Sequence, residues 1–110
     1  MRIERELMRG AGPVAVLQLL AEGEKYGYEM VQQLDRRSRG VLAMGQSTLY
    51  PLLYNLQAKG LIASRTAASE SGRPRRYYRI TDKGKKKLAR DRAALAAVSA
   101  AVSQLGIAGA

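Results

Sequence analysis

The segment TLYPLLYNLQAKGLI, residues 48–62, decides the fold of this chain. Its leucines recur at the three- and four-residue spacing of a helix with one buried face. Ser47, Tyr50, Pro51 and Tyr54 project from the opposite face, where a short exposed helix would not ordinarily carry two tyrosines. The segment therefore predicts a helix that is held in place by its leucines and presents hydroxyl and aromatic groups to a partner.

An arginine-rich segment follows, SESGRPRRYYRIT at residues 69–81. Residues 61–67 and 75–80 predict two short strands, joined by a turn at Ser-Gly-Arg-Pro. Tyr77 and Tyr78 alternate across the second strand, so that one of them should lie in the core. The hairpin also carries four arginines with no acid among them, at positions 73, 75, 76 and 79. The alternative is a turn that is charged only because it is exposed to solvent. Because neighbouring like charges repel, the cluster favours contact with a phosphate backbone.

The composition bounds the function. The chain has 110 residues, enough for one domain, with 19 Lys and Arg against 9 Asp and Glu, a formal charge of +10 and a pI near 10.4. Such a field attracts polyanions, and nucleic acid first among them. The absence of Cys and His excludes disulfides, zinc fingers and imidazole acid–base chemistry. Since no paired carboxylates or glycine-rich phosphate loop stand at useful spacing, we expect no enzyme, no metal and no cofactor.

The first half of the chain predicts further helices. Residues 2–8 predict a short helix that is broken at residues 10–12, and Pro13 suits the first turn of a second helix that runs to Gly23. Residues 28–37 predict the next helix. The apolar segment 41–44 is ambiguous and is a candidate for a third small strand that pairs with the hairpin. Ser47 or Thr48 is predicted to cap the N-terminus of the helix in residues 48–62.

A long helix is predicted from Thr81, a good N-cap, to about Leu105. Its apolar residues have the spacing of a two-helix seam, with Asp91 in one seam position. This seam predicts a dimer interface. The alternative is that the same apolar residues pack on the chain's own domain. The seam residues are Leu88, Leu95, Val98, Val102 and Leu105.

Two segments bear on location. Residues 93–110 carry no charge, but they are mostly alanine with serines, a glutamine and glycines, so that we expect no membrane helix. The N-terminal sequence MRIERELMRG lacks the apolar core of a signal peptide. We therefore expect a cytoplasmic protein.

Four segments in order resemble one family. LYPLLYNLQAKGLI and ESGRPRRYYRITDKGKKKL, with RELMRG and LLAEGEKYGYEMVQQL upstream, are similar to the PadR family of winged helix-turn-helix transcriptional regulators, in its short form with one C-terminal helix. The resemblance covers about residues 5–90. It implies a mostly α fold with a small β-hairpin, with a DNA-binding domain at 1–81 and a dimerisation helix and tail at 82–110. Gln57, and Gly45-Gln46-Ser47, depart from the residues usual in the family.

The resemblance also implies a function: a homodimeric repressor that binds double-stranded DNA and is usually released by a small molecule. The two-fold symmetry of the dimer predicts an inverted-repeat operator. The expected effector is a small planar organic molecule, and the alternative is regulation by abundance alone, without a ligand. The recognition-helix candidates are Ser47, Thr48, Tyr50, Pro51, Tyr54, Asn55 and Lys59. The wing candidates are Arg73, Arg75 and Arg76, and the candidates for other backbone contacts are Arg36, Arg37, Arg39, Lys83 and Lys87. The alternative function is a winged-helix protein that packages DNA or binds RNA without sequence preference.

Overall fold

The structure is a computed structural model, and it describes residues 1–106. Within these residues the chain forms four helices and three strands. They are α1 (Arg5–Ala21), β1 (Lys25–Tyr26), α2 (Gly27–Arg37), α3 (Gln46–Ala58), β2 (Ile62–Ala68), β3 (Pro74–Ile80) and α4 (Asp82–Gln104). The strands form one antiparallel sheet in the order β1-β3-β2. This arrangement is the predicted winged helix-turn-helix with a long C-terminal helix. The last residues of the predicted tail, 107–110, lie outside the described part.

The start of the chain differs from the prediction, because α1 is one continuous helix through residues 10–13. Gly12 is buried, and a methyl group at that position would lie 3.5 Å from Cε of Met44 and 3.6 Å from Cδ2 of Leu52. A methyl group would therefore fit at ordinary contact distance, and α1 is held on the domain by its buried side chains, Val16, Leu17 and Leu20. This packing outweighs the low helix propensity of the glycines and the backbone bond that Pro13 omits.

The third strand also differs from the prediction. It is β1, which pairs Lys25 with Tyr78 and Tyr26 with Tyr77. Residues 41–44 form no strand: a turn ends at Leu42, where Gly40 adopts a positive φ of 83° and the amide of Leu42 is bonded to Oγ of Ser38, and residues 43–44 are irregular.

The predicted leucine stripe of α3 is confirmed at Leu49, Leu53 and Leu56, which are all buried in the core. Leu52 is half-buried at the edge of that core. The core gathers side chains from α1, α2, α3, β2, β3 and the first part of α4, among them Leu17, Leu20, Met30, Ile62 and Tyr78. The prediction that one of the paired tyrosines is buried is therefore confirmed for Tyr78.

Neither predicted hydroxyl caps α3. Gly45 occupies the N-cap position without a side-chain bond, and its carbonyl accepts the amides of Thr48 (3.1 Å) and Leu49 (2.9 Å). At the other end the prediction is confirmed, because Gly60 follows the helix with a φ of +75°. Both hairpin strands lie within one residue of their predicted bounds.

Helix α4 begins as predicted, with Oγ1 of Thr81 accepting the amide of Gly84 at 3.1 Å. Leu88 is only 5% exposed and belongs to the core of its own domain. Its expected place on a dimer seam is thus corrected. The remainder of α4 lengthens the molecule, which measures 53 × 29 × 21 Å. No helix within residues 1–106 combines the length and the apolar character needed to cross a membrane.

Candidate nucleic-acid interface

The face of α3 opposite the leucines is free of contacts with the core. Ser47, Pro51, Tyr54 and Ala58 recur along it at four- and three-residue spacing, and all four are exposed. Tyr54 stands farthest out, with 76% of its surface exposed. The leucine anchors on one side therefore hold a hydroxyl, a proline ring and a phenol on the other.

One edge of this face is held by Tyr50, whose ring lies against the backbone at the start of α2. A methyl group at Gly27 would overlap the Tyr50 hydroxyl and would come within 2.8 Å of Cζ. Tyr50 is 42% exposed, so that it fixes α3 against α2 and still presents part of its ring to solvent. Tyr50, a predicted DNA-contacting residue, thus also packs α3 against α2.

The other edge of α3 borders a groove of about 1340 Å³, which we call the α1–α3–α4 groove. Ser47, Thr48, Pro51, Asn55 and Lys59 line it from α3. Leu7 of α1 and Val98 of α4 contribute apolar surface on the other sides. Among the predicted reading residues, Tyr50 and Tyr54 lie outside the groove, whereas Ser47 and Pro51 belong both to the exposed face and to the groove wall.

The wing turn is compact. The amide of Ser69 donates to the carbonyl of Arg73 at 2.9 Å, and the amide of Gly72, at a φ of +85°, donates to the carbonyl of Ser69 at 2.9 Å. Arg73 is exposed at the tip. Arg76 is also exposed, and its nearest partner is Oγ of Ser64 at 3.4 Å. Both guanidinium groups remain accessible to a phosphate.

Arg75 is placed differently, in a row of stacked side chains that we call the wing brace. Its guanidinium lies 4.0 Å from the centre of the Tyr26 ring, and that ring meets Tyr77 edge-on at 5.9 Å. Arg65 covers Tyr77 at 5.3 Å and forms two hydrogen bonds to Glu24, of 2.6 and 2.8 Å. Sequence reasoning missed this row, because it depends on the pairing of β1 with β3.

The ion pair between Arg65 and Glu24, at the end of the wing brace, shifts the pKa values of both residues. The hydrogen bond from Arg65 lowers the pKa of the Glu24 carboxyl, and the same bond raises the pKa of Arg65. A second paired contact, Arg37 to Glu22 at 2.7 Å, joins the end of α2 to the residue after α1 and lowers the pKa of Glu22. The loop before β1 is therefore fixed at both ends by charge-assisted bonds.

Three of the five other predicted backbone contacts have partners within the chain. Arg37 is bonded to Glu22, Nζ of Lys83 donates to the carbonyl of Lys59 at 2.8 Å, and Lys87 pairs with Asp91 at 2.7 Å. The Lys87–Asp91 pair has the i,i+4 spacing of a helix, whereas the other two bonds join separate elements and could not be predicted from spacing. The phosphate contacts expected of all five basic residues stay predictions; Arg36 and Arg39 are exposed.

The second half of α4 carries an apolar stripe that no other part of the described chain covers. Leu95, Val98 and Leu105 are 47%, 59% and 78% exposed, and Val102 is half-buried. Leu7 of α1, at 61%, lies across the groove from this stripe. A row of exposed aliphatic side chains on one helix is typical of an interaction surface.

These features together define a winged helix-turn-helix protein of the DNA-binding class. The Transcriptional regulator PadR-like family has a model that matches residues 16–90. Transcriptional regulator Rv3488 of Mycobacterium tuberculosis is 38% identical over 91 residues, which cover 83% of this chain and 81% of that protein. The chain belongs to the PadR family of transcriptional regulators.

Solved structures of relatives share the fold. A PadR-like regulator of Bacillus cereus superposes with a TM-score of 0.83 at 30% identity, covering 96% of this chain and 100% of that one. Bacillus subtilis PadR in complex with operator DNA superposes with a TM-score of 0.67 at 29% identity. That match covers 73% of this chain and 44% of the other. The predicted family and fold class are thereby confirmed.

Proposed function

We propose that this chain is a sequence-specific repressor that acts in the cytoplasm as a homodimer on an inverted-repeat operator. The observation that carries the proposal is the outward face of α3, where Ser47, Pro51 and Tyr54 are exposed on a leucine-anchored helix. The operator complex of the Bacillus subtilis relative supports double-stranded DNA as the partner. Bound across a promoter, such a dimer would exclude polymerase.

The residue types on α3 define how bases would be read. Tyrosine and proline rings pack on thymine methyl groups, hydroxyls bond to several bases, and the Asn55 amide suits adenine. Arginine is absent from α3, so that direct reading is modest. Phosphate contacts from Arg73 and Arg76, together with DNA shape, would supply a larger share of the affinity.

The α4 stripe supports the homodimer. Leu95, Val98, Val102 and Leu105 share one side of the helix beyond the part that packs on the domain, and a second copy would remove them from water. A two-fold dimer presents the same α3 face twice. Helix-turn-helix half-sites commonly lie one helical turn apart, about 34–36 Å, and an inverted repeat matches this symmetry.

The α1–α3–α4 groove is the proposed effector site. It borders both the DNA-reading helix and the α4 stripe, and its walls are partly apolar. A planar organic molecule in the groove would contact both elements at once. If that molecule favours a spacing of the two α3 helices that does not fit the operator, its binding releases the repressor.

A second candidate is a packaging or RNA-binding protein without sequence preference. The lack of arginine on α3 favours it, as does the concentration of ten of the nineteen basic residues within residues 72–92. A competition between duplexes at fixed salt separates the two functions, because a regulator prefers its site by orders of magnitude.

Genome-wide mapping of bound sites, combined with selection from random duplexes, tests the proposed function. We expect both experiments to return one inverted-repeat motif and the mapped sites to lie at promoters. A selection that returns no common motif would favour the packaging function.

A further inference from the structure

The start of α4 is bonded directly to the end of α3. Nζ of Lys83 donates to the carbonyl of Lys59 at 2.8 Å, and Oγ1 of Thr81 donates to the carbonyl of Gly60 at 2.7 Å. The last carbonyls of a helix lack partners within the helix itself. A lysine ammonium is a favourable donor there, because the C-terminal end of a helix carries partial negative charge.

Close packing accompanies these bonds. The amide of Thr81 donates to the carbonyl of Leu61 at 3.1 Å. Gly84 lies directly on the same carbonyl; a methyl group at position 84 would overlap it and lie 2.7 Å from Cγ1 of Ile80. We call this set of contacts, between residues 59–61 and residues 81–84, the α3–α4 junction.

Beyond the junction the two helices diverge, and the α1–α3–α4 groove separates them. Helix α4 continues to Val98, which lies about 22 Å from Lys83 at 1.5 Å per residue. A small rotation at the junction would therefore change the position of the α3 reading face relative to the α4 stripe. The junction bonds the two helices directly, while the packing of α4 on α1 and the burial of Leu88 hold α4 on the domain.

We propose that Lys83 is a positioning residue: by holding the end of α3 on the start of α4, it fixes the separation of the two α3 helices in the dimer and hence the preferred half-site spacing. This role rests on the proposed two-fold reading of DNA. It is an alternative to the expected role as a phosphate contact, and it is supported by the bond from the Lys83 ammonium to the Lys59 carbonyl.

The test compares Lys83→Met with Lys86→Met in the full-length protein. Methionine keeps an unbranched side chain and removes the ammonium group. Lys86 lies on the same helix turn, is exposed, and has no hydrogen bond or ion pair within residues 1–106. Each variant loses one positive charge, but only Lys83→Met also loses a bond to α3. The probes are the selected inverted repeat and two versions with the spacer longer or shorter by one base pair.

We expect the preference of Lys83→Met for the native spacing to fall about threefold or more, in line with the loss of one charge-assisted bond. Lys86→Met should keep the wild-type preference. The salt dependence of binding should be no flatter in Lys83→Met than in the wild type, whereas a lost phosphate contact would change the slope by about 0.9. In the DNA-free protein, amide exchange at Lys59, Gly60 and Leu61 should accelerate in Lys83→Met alone.

An unchanged spacing preference would overturn the positioning role, even if amide exchange accelerates. A salt slope that flattens by one phosphate contact would also overturn it. A wild-type protein that binds all three spacings equally would refute the two-fold reading, and the positioning role with it. In that case the exchange rates would still show whether the Lys83 bond holds the end of α3.

Discussion

The guanidinium of Arg75 lies 4.0 Å from the centre of the Tyr26 ring, on the outer face of the sheet. One of the three arginines that the sequence assigns to the wing contact therefore belongs to the wing brace. Arg73 and Arg76 are exposed, and their phosphate contacts stay a prediction. The arginine cluster thus divides into one residue that supports the wing and two exposed residues that are candidates for a phosphate contact.

This division predicts different effects for two single substitutions. Arg73→Ala should flatten the log–log salt dependence of DNA binding by about 0.9 and leave the folded state unchanged. Arg75→Ala should lower the free energy of unfolding by about 0.5–2 kcal/mol, because a cation–π contact is lost, with a smaller change in slope. Salt titrations and urea denaturation measure the two effects. Equal slope changes in both variants would contradict the assignment.

Substitutions on α3 should change sequence preference. Tyr54→Ala and Asn55→Ala should alter the ranking among operator variants, with each lost base contact worth about 1–3 kcal/mol. Gln57→Ala is the matched control, since Gln57 is exposed on α3 but lies away from the outward face. If binding to every variant falls by one common factor, Tyr54 and Asn55 position the helix without reading bases.

The contact between Tyr50 and Gly27 makes a prediction about stability. Gly27→Ala should lower the free energy of unfolding by about 1–3 kcal/mol, because the added methyl group overlaps the Tyr50 hydroxyl. Tyr50→Ala in the same chain should remove most of that penalty, which a double-mutant cycle measures. Gly10→Ala is the control: nothing lies within 4 Å of the added methyl group, and alanine should stabilise α1 by about 0.5–1 kcal/mol. Equal effects of both glycine substitutions would contradict the steric account.

The wing brace predicts a pH dependence. The pKa of Glu24 is lowered from its ordinary value of 4.5, chiefly by the hydrogen bond from Arg65. Its contribution to stability is therefore complete above that value and is lost as the pH falls through the lowered pKa. Arg65→Met should bring the pKa of Glu24 back toward 4.5, which a carbon-detected titration of the carboxyl would show. Arg79→Met should have the smaller effect, and an unshifted Glu24 in Arg65→Met would refute the pairing.

The α4 stripe predicts that Val98→Asp with Val102→Asp yields a folded or partly folded monomer. This variant should lose about a hundredfold or more of its operator affinity, since linked binding of two half-sites is lost, but should retain weak, salt-sensitive DNA binding. Ala96→Asp with Ala100→Asp adds the same charge on the opposite side of α4 and should stay dimeric. Light scattering measures the mass of each variant. A dimeric Val98/Val102 variant would refute the stripe as the interface.

Local signals in the sequence predicted much of this fold. The leucine spacing, Gly60 and Thr81 each act within one or two turns of the chain, and the structure confirms all three. The hairpin strands follow from alternation around a glycine–proline turn, and they too are confirmed.

Features that depend on distant contacts could not be predicted. The continuity of α1 depends on the burial of its side chains in the core, which no local propensity encodes. Strand β1 pairs with residues some fifty positions away, and the wing brace depends on that pairing. Leu88 lies in the core of its own domain for the same reason, because the side chains that cover it come from other elements.

The central claim is that a two-fold dimer reads an inverted repeat by sequence. The most direct test titrates the wild-type protein, at one fixed salt concentration, against the selected inverted repeat, a single half-site and a scrambled duplex of equal length. We predict that the inverted repeat binds about a thousandfold or more tightly than the scrambled duplex, with the half-site well below the inverted repeat. Equal affinity for the inverted repeat and the scrambled duplex would contradict sequence-specific reading, and equal affinity for the inverted repeat and the half-site would contradict the two-fold mode.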